Sequence, residues 1–245
     1  MTFDEVRNRY FEELAETDAG RATLLLESAI AYARGVSGPG VAPAGLERLR
    51  VENPQVEFAG EISRLISWAA NEGISGQSIS DERYGTQDTE GTEHWVWFEN
   101  SRVRKISFSN PDHFDQGPFG QTIEAFEDTG PDGEVAVVIE NRKGSPSEYL
   151  EGLYLQNVLF RIDNRLEALS EFGIETTQPL FTGEPLTEER LDSFLDAFGF
   201  VPVSALTYHH RGLQVALSDI ALHNVIKTGA AIFPFDIWAR RIKLP

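Results

Sequence analysis

Near residue 76 this 245-residue chain changes its hydrophobic period, and the change removes most fold classes at once. Before it, Phe3, Val6, Tyr10, Phe11 and Leu14 recur at intervals of three and four. A second stripe runs through Leu24, Leu25, Ala29, Ile30 and Ala33 and stops at Gly35. This is the spacing of apolar helix faces. A further helix is expected from Phe58 to Ala70, stopping at Asn71-Glu72-Gly73. Beyond residue 76 the apolar runs shorten to WVWF, RVRKISF and VAVVI, separated by Gly, Asp, Asn and Pro, the pattern of antiparallel strands. The chain is therefore expected to be α+β, with a helical region over 1–75 and a compact sheet-containing domain over 76–245.

Finer signals divide it further. VSGPGVAPAG between Val36 and Gly45 is loop chemistry. Ser147 to Phe160 returns to helix, with Leu150, Leu153, Tyr154, Asn157 and Val158 on one side and Pro146 suited to the first turn. An apolar connection through Gln178-Pro179-Leu180-Phe181 leads to Thr187, the expected N-cap of a short helix ended by Gly199. The last 45 residues read as strands and turns: VSALTY, LQVAL, NVIK, then AAIFPF after the turn Thr228-Gly229.

Composition excludes several chemistries. With no cysteine there is no disulfide scaffold, thiolate zinc site, iron–sulfur cluster or thiol nucleophile. The longest apolar runs are far short of the roughly 18 residues of a membrane span, and the acidic amphipathic start MTFDEVRNRYFEELAE is unlike a secretory signal. A cytoplasmic protein is expected. The net charge of −18 repels phosphate backbones, which disfavours nucleic acid as a partner.

The chemistry-bearing stretch is LSDIALHNVIKTGAAIFPFDIW. A hairpin turn at Thr228-Gly229 folds Val225 to Lys227 back against Ile232 to Phe235, which brings Asn224 beside Asp236 at the open end. Asp219, at the other end of a short loop, faces the same space. Oxygen donors of this kind suit Mg²⁺ together with phosphate oxygens and water. Turn formation by Asp and Asn is the competing explanation. His209-His210 with His223 suggests a metal site less well, because adjacent strand residues point to opposite faces. No P-loop, GxSxG, HExxH or EF-hand spacing occurs.

An Asp, four residues, an Asn, then a hairpin and a second Asp resemble the catalytic loop and metal-binding strand pair of the protein-kinase-like fold. More narrowly, GTEHWVWF, RVRKI, SEYLEGLYLQNVLF, TTQPLFTGEPLTEERLDSFLDAFGF and DIALHNV…PFDIW resemble the polyvalent-protein kinase domain of bacterial and phage multidomain proteins, over about residues 85 to 240. The resemblance implies a minimal kinase-like fold: a small lobe over about 76–177, a hinge over about 177–184 and a reduced C-lobe over 185–245. It makes Asp219 the catalytic-loop aspartate and Asn224 and Asp236 the Mg²⁺ ligands. Lys105 becomes the phosphate-binding lysine, with Glu148 or Glu151 as its ion-pair partner, Glu148 preferred. Gln178, Leu180 and Phe181 would lie in the hinge that receives adenine.

The chain departs from the pattern in several places. No GxGxxG precedes Lys105, where only Gly85 and Gly91 flank the candidate phosphate-covering turn. Leu217-Ser218 stand where His-Arg is usual, and Ile237-Trp238 where Phe-Gly is usual. With Asp236 nine residues before Pro245, no activation segment or large helical C-lobe is expected. Three functions follow: an ATP- and Mg²⁺-dependent phosphotransferase acting on an unidentified protein or small molecule, a pseudokinase that binds without turnover, or an acidic immunity or antitoxin-type protein that neutralises a basic partner.

Overall fold

A computed structural model describes residues 1–35, 54–76, 89–90, 94–108, 121–129, 135–170 and 173–242. The expected loop at Val36 to Gly45 lies outside them, as does the turn between Gly85 and Gly91 apart from Thr89 and Glu90. The described chain is mixed α+β, with antiparallel sheets.

Three helices come first: α1 (Phe3–Leu14), α2 (Asp18–Ala33) and α3 (Pro54–Glu72). Thr2 and Glu5 form a reciprocal capping box at the start of α1, and Thr17 caps α2. The joint between them is tight, since a Cβ on Gly20 would lie 1.9 Å from the Leu14 carbonyl oxygen.

The largest sheet has the order β1 (Thr89–Glu90), β2 (His94–Glu99), β3 (Arg102–Phe108), β7 (Gly173–Pro179), β6 (Arg165–Ser170). Between β3 and β6 the chain makes a separate hairpin, β4 (Gln121–Thr129) with β5 (Val135–Lys143), and then helix α4 (Pro146–Phe160). The stretch before Gln178, expected to be a connection, is in fact the strand pair β6–β7. β7 is buried along almost its whole length, between β3 and β6, so it lacks the polar alternation that marks a half-exposed strand.

The rest builds two small sheets. β8 (Glu184–Pro185) joins the hairpin of β12 (Val225–Thr228) and β13 (Ala231–Pro234). Helix α5 (Glu188–Ala197), capped by Thr187 as expected, leads into β9 (Val201–Ser204), β10 (Thr207–His210) and β11 (Val215–Ser218), with β14 (Trp238–Arg241) on the far edge of β11. VSALTY is thus two strands around a turn at Leu206, whose φ is +58°.

Helix α4 is the axis of the molecule. The expected single apolar side is replaced by burial all round: Leu150, Glu151, Leu153, Tyr154, Gln156 and Asn157 are all buried, because α2 packs on one flank and β14 on another. One continuous core runs from Phe3, Leu26 and Trp68 through Leu150 and Tyr154 to Leu217 and Ala239. The helical region up to residue 75 therefore shares its core with the sheets. No described helix is long and apolar enough to cross a membrane.

Candidate phosphate and cation site

The hairpin expected from the sequence forms, but its turn is Gly229-Ala230, one residue beyond the expected Thr228-Gly229, because Thr228 still pairs with Ala231; Val225 stands opposite Pro234 and Lys227 opposite Ile232. Its ladder extends one step further, where the Phe235 N–H donates to the Asn224 carbonyl at 2.8 Å. Asn224 and Asp236 are thereby held at the open end. Asn224, in a short 3₁₀ turn, donates its side-chain N–H to the Asp219 carbonyl at 3.0 Å and to the Asp219 carboxylate at 3.2 Å. Its amide oxygen is left for another donor or a cation.

Asp219 and Asp236 both take left-handed backbone conformations, with φ of +59° and +56°. Asp tolerates this region better than most residues, and each sits just past a strand end, Asp219 after β11 and Asp236 after β13. Burial and the nearby Asp236 charge push the Asp219 carboxyl above its ordinary range. The Lys105 ammonium holds Asp236 below it. The pKa values of the two carboxyls in one site are thus pushed apart.

Lys105 comes from the other side of the cleft. Its Nζ lies 2.6 Å from Asp236 Oδ1, joining strand β3 to the end of the hairpin. The lysine side chain is 12% exposed and the aspartate 55%, so the half-buried ammonium meets a carboxylate open to solvent.

The carboxylate that meets Lys105 is accordingly Asp236, and the expected pairing with α4 does not form. Glu148 accepts from the Ser145 N–H at 2.9 Å, and ion-pairs with Arg142 and Arg240. Glu151 ion-pairs with Arg34 of α2 at 3.0 Å. Both acids of the first turns of α4 are held by arginines brought in from other elements.

Beside the Lys105–Asp236 pair lies a small cleft, about 60 Å³ in volume, between the large sheet, α4 and β14. His94, Lys105, Tyr149, Thr176, Gln178 and Asp236 are among its walls. Glu148 also reaches it. Tyr149 on α4 is hydrogen-bonded to Thr176 on β7 at 3.1 Å, which fixes the helix against the sheet.

The three expected hinge residues divide. Gln178, buried in β7, lines the cleft. Leu180 is exposed, and its N–H donates to the Ser101 carbonyl at 2.8 Å. Phe181 stacks on Phe233 and Phe235 at centroid distances of 4.9 and 5.6 Å, tying the connection to the hairpin.

His94 was not among the sequence candidates. It sits on β2 opposite Ser107, packs 5.4 Å from the Tyr149 ring, and its Nε2 is buried with no hydrogen-bond partner among the described residues. Burial foremost, then the Lys105 charge, lowers its pKa to about 4, so the imidazole is neutral at pH 7. The register is the signal that could have found it. Val96 stands opposite Lys105 and Ser107 opposite His94, which places His94 and Lys105 diagonally on one face.

The histidines of β10 do not combine. His209 is buried, whereas His210 turns its Nδ1 to accept from the Leu213 N–H at 3.1 Å. Among the described residues, no cluster of three or more His, Asp or Glu forms a metal-binding group. The oxygen donors that suit a hard cation are Asn224 and Asp236, with Asp219 hydrogen-bonded to the first.

No protein-family model, curated protein or solved structure matches this chain.

Proposed function

We propose that the cleft binds the phosphates of ATP with Mg²⁺ and that the protein is a kinase-like phosphotransferase on a minimal kinase-like fold. The observation that carries this reading is the meeting of Lys105 and Asp236 at 2.6 Å, a half-buried cation from a sheet and a carboxylate from a hairpin end, beside Asp219 and Asn224. An ammonium on one wall and oxygen donors on the other are what a phosphate–cation pair needs.

Lys105 would exchange Asp236 for phosphoryl oxygens, freeing the carboxylate. Asp236 and the amide oxygen of Asn224 would then hold Mg²⁺, which supplies neutralisation of phosphate charge. Asp219, oriented by Asn224, would accept the proton of an acceptor hydroxyl as the new O–P bond forms and the bond to the departing diphosphate breaks. A raised pKa suits a group that must take up a proton. Gln178 and the walls of the cleft would receive the rest of the nucleotide. The acceptor, a protein or a small molecule, is met at the exposed side of Asp236.

One observation favours a binding module without turnover. Glu148 and Glu151 are engaged by arginines, so no α4 carboxylate holds Lys105 in place once Asp236 leaves it. ATP binding without hydrolysis or transfer would select this second reading.

The test is thermal unfolding with ATP, with and without Mg²⁺, for wild type and Asp236→Asn, because Asn tolerates a φ of +56°. At about 100 times Kd a native-state ligand stabilises by roughly 2.7 kcal/mol, which moves Tm by about 5–10 °C in a chain of this size. A Mg²⁺-dependent rise in wild type that is lost in the variant is expected. Absence of any rise in wild type removes the nucleotide reading and leaves a protein-binding role.

A further inference from the structure

We propose that His94 is a ligand-binding residue of this cleft, its Nε2 hydrogen-bonding an anionic phosphoryl oxygen alongside Lys105. The inference rests on the nucleotide reading above and adds to it a residue and a specificity for the phosphate part of the ligand.

The starting point is the unpartnered nitrogen. A buried polar atom without a partner destabilises the folded state, and such groups are few in native proteins. His94 Nε2 is one of them, and His94 is a wall residue of the cleft that holds Lys105 and Asp236. His209 Nε2 is also unpartnered, but it belongs to β10 in the four-stranded sheet and is not a wall residue. The partner missing from His94 is therefore to be sought in what the cleft binds.

Placement gives the chemistry. His94 and Lys105 share one face of the β2–β3 ladder, diagonally related. The ring packs against Tyr149, itself anchored to Thr176, so the imidazole loses little freedom on binding. Lys105, when it turns from Asp236 to an anion, would bring that anion to the same face of the ladder. An N–H beside an ammonium makes a two-donor cradle for one phosphoryl group, and a neutral imidazole does so without adding a second positive charge.

The test uses the full chain with His94→Leu and His94→Gln. Ligand-free Tm is measured first, then affinity by calorimetry for ATP, inorganic tripolyphosphate and adenosine, all with Mg²⁺. For His94→Leu, a Tm at or above wild type is expected, because an apolar group replaces an unpaired polar one. Affinity for ATP and tripolyphosphate is expected to fall by about 10- to 100-fold, the worth of a hydrogen bond to a charged group, with adenosine unchanged. His94→Gln, which keeps a side-chain N–H, should recover part of the loss. A Tm several degrees lower in His94→Leu, or tripolyphosphate affinity within about twofold of wild type, would overturn the proposal. If wild type binds neither ATP nor tripolyphosphate, the nucleotide reading fails first and this inference falls with it.

Discussion

Glu61 is 2% exposed, and its two carboxylate oxygens accept from the Ser147 N–H and hydroxyl, both at 2.9 Å. Burial outweighs these bonds and raises its pKa above the ordinary 4.5, with the charge of Glu148 adding to the effect. The folded state therefore keeps a proton that the unfolded chain has released, and stability falls as pH rises through that interval. Glu61→Gln, neutral at every pH, is expected to have a Tm at or above wild type at pH 7. The advantage should vanish once the pH drops below 4.5; a variant less stable at pH 7 would show that the charge itself is needed. The same arithmetic of neighbours explains which site residues were legible in the sequence. Asp219, Asn224 and Asp236 were readable because a hairpin fixes its own register over a few residues. The partner of Lys105 was not, because Arg34 and Arg240 reach α4 from elements far away in the chain, and no local spacing encodes that choice. His94 was missed for a related reason: its meaning lies in an empty hydrogen-bond position, which only packing creates.

At the scale of elements, α4 shows how a short signal governs a long one. Ser145 accepts from the Glu148 N–H while Glu148 accepts from the Ser145 N–H, a capping box followed by proline. The sequence placed this helix within one residue of where it starts, since caps and proline act locally. Ser145→Ala removes the cap at a helix start that is wholly buried, and is expected to cost about 1–2 kcal/mol. Urea denaturation at constant m would read this as a lower midpoint. Because Glu148 also binds Arg142 and Arg240, the loss should exceed that of Thr17→Ala, which caps α2 at an exposed corner. Equal losses would mean that the cap and the ion pairs are independent. The strands β6 and β7 escaped the sequence reading for the opposite reason. In β7, Ile174 to Gln178 are buried on both faces, and without a solvated side a strand loses its period of two; in β6 a register shift between Leu166 and Ala168 breaks the alternation instead.

For the molecule as a whole, the change of period at residue 76 marks a change of secondary structure within a single packed unit. Tyr10, Leu26 and Trp68 from the helices lie in the same core as Leu150, Tyr154 and Leu217. Among the polar ties that reinforce the contact are Arg34 to Glu151 at 3.0 Å, Glu61 to Ser147, and Asn157 of α4 to Thr23 of α2 at 3.0 Å. Composition and period gave the α+β class, but not this union. A helix buried all round looks, from its sequence, like one with a single apolar side and spare polar residues. The union has a thermodynamic consequence: a shared core has no internal boundary at which one part can melt alone, so unfolding should be two-state. The protein carries its own probes. Most of its helix lies in α1–α3, read by far-UV circular dichroism, while Trp95, Trp97 and Trp238 report on the sheets once Trp68 is replaced by Phe. In Trp68→Phe, the urea midpoints from dichroism and from tryptophan fluorescence are expected to coincide. Arg34→Met, which leaves Glu151 buried without its partner, should shift both together to lower urea by the equivalent of about 3–5 kcal/mol. Midpoints that separate in either variant would instead make residues 1–75 a folding unit of their own, docked onto α4 rather than built around it.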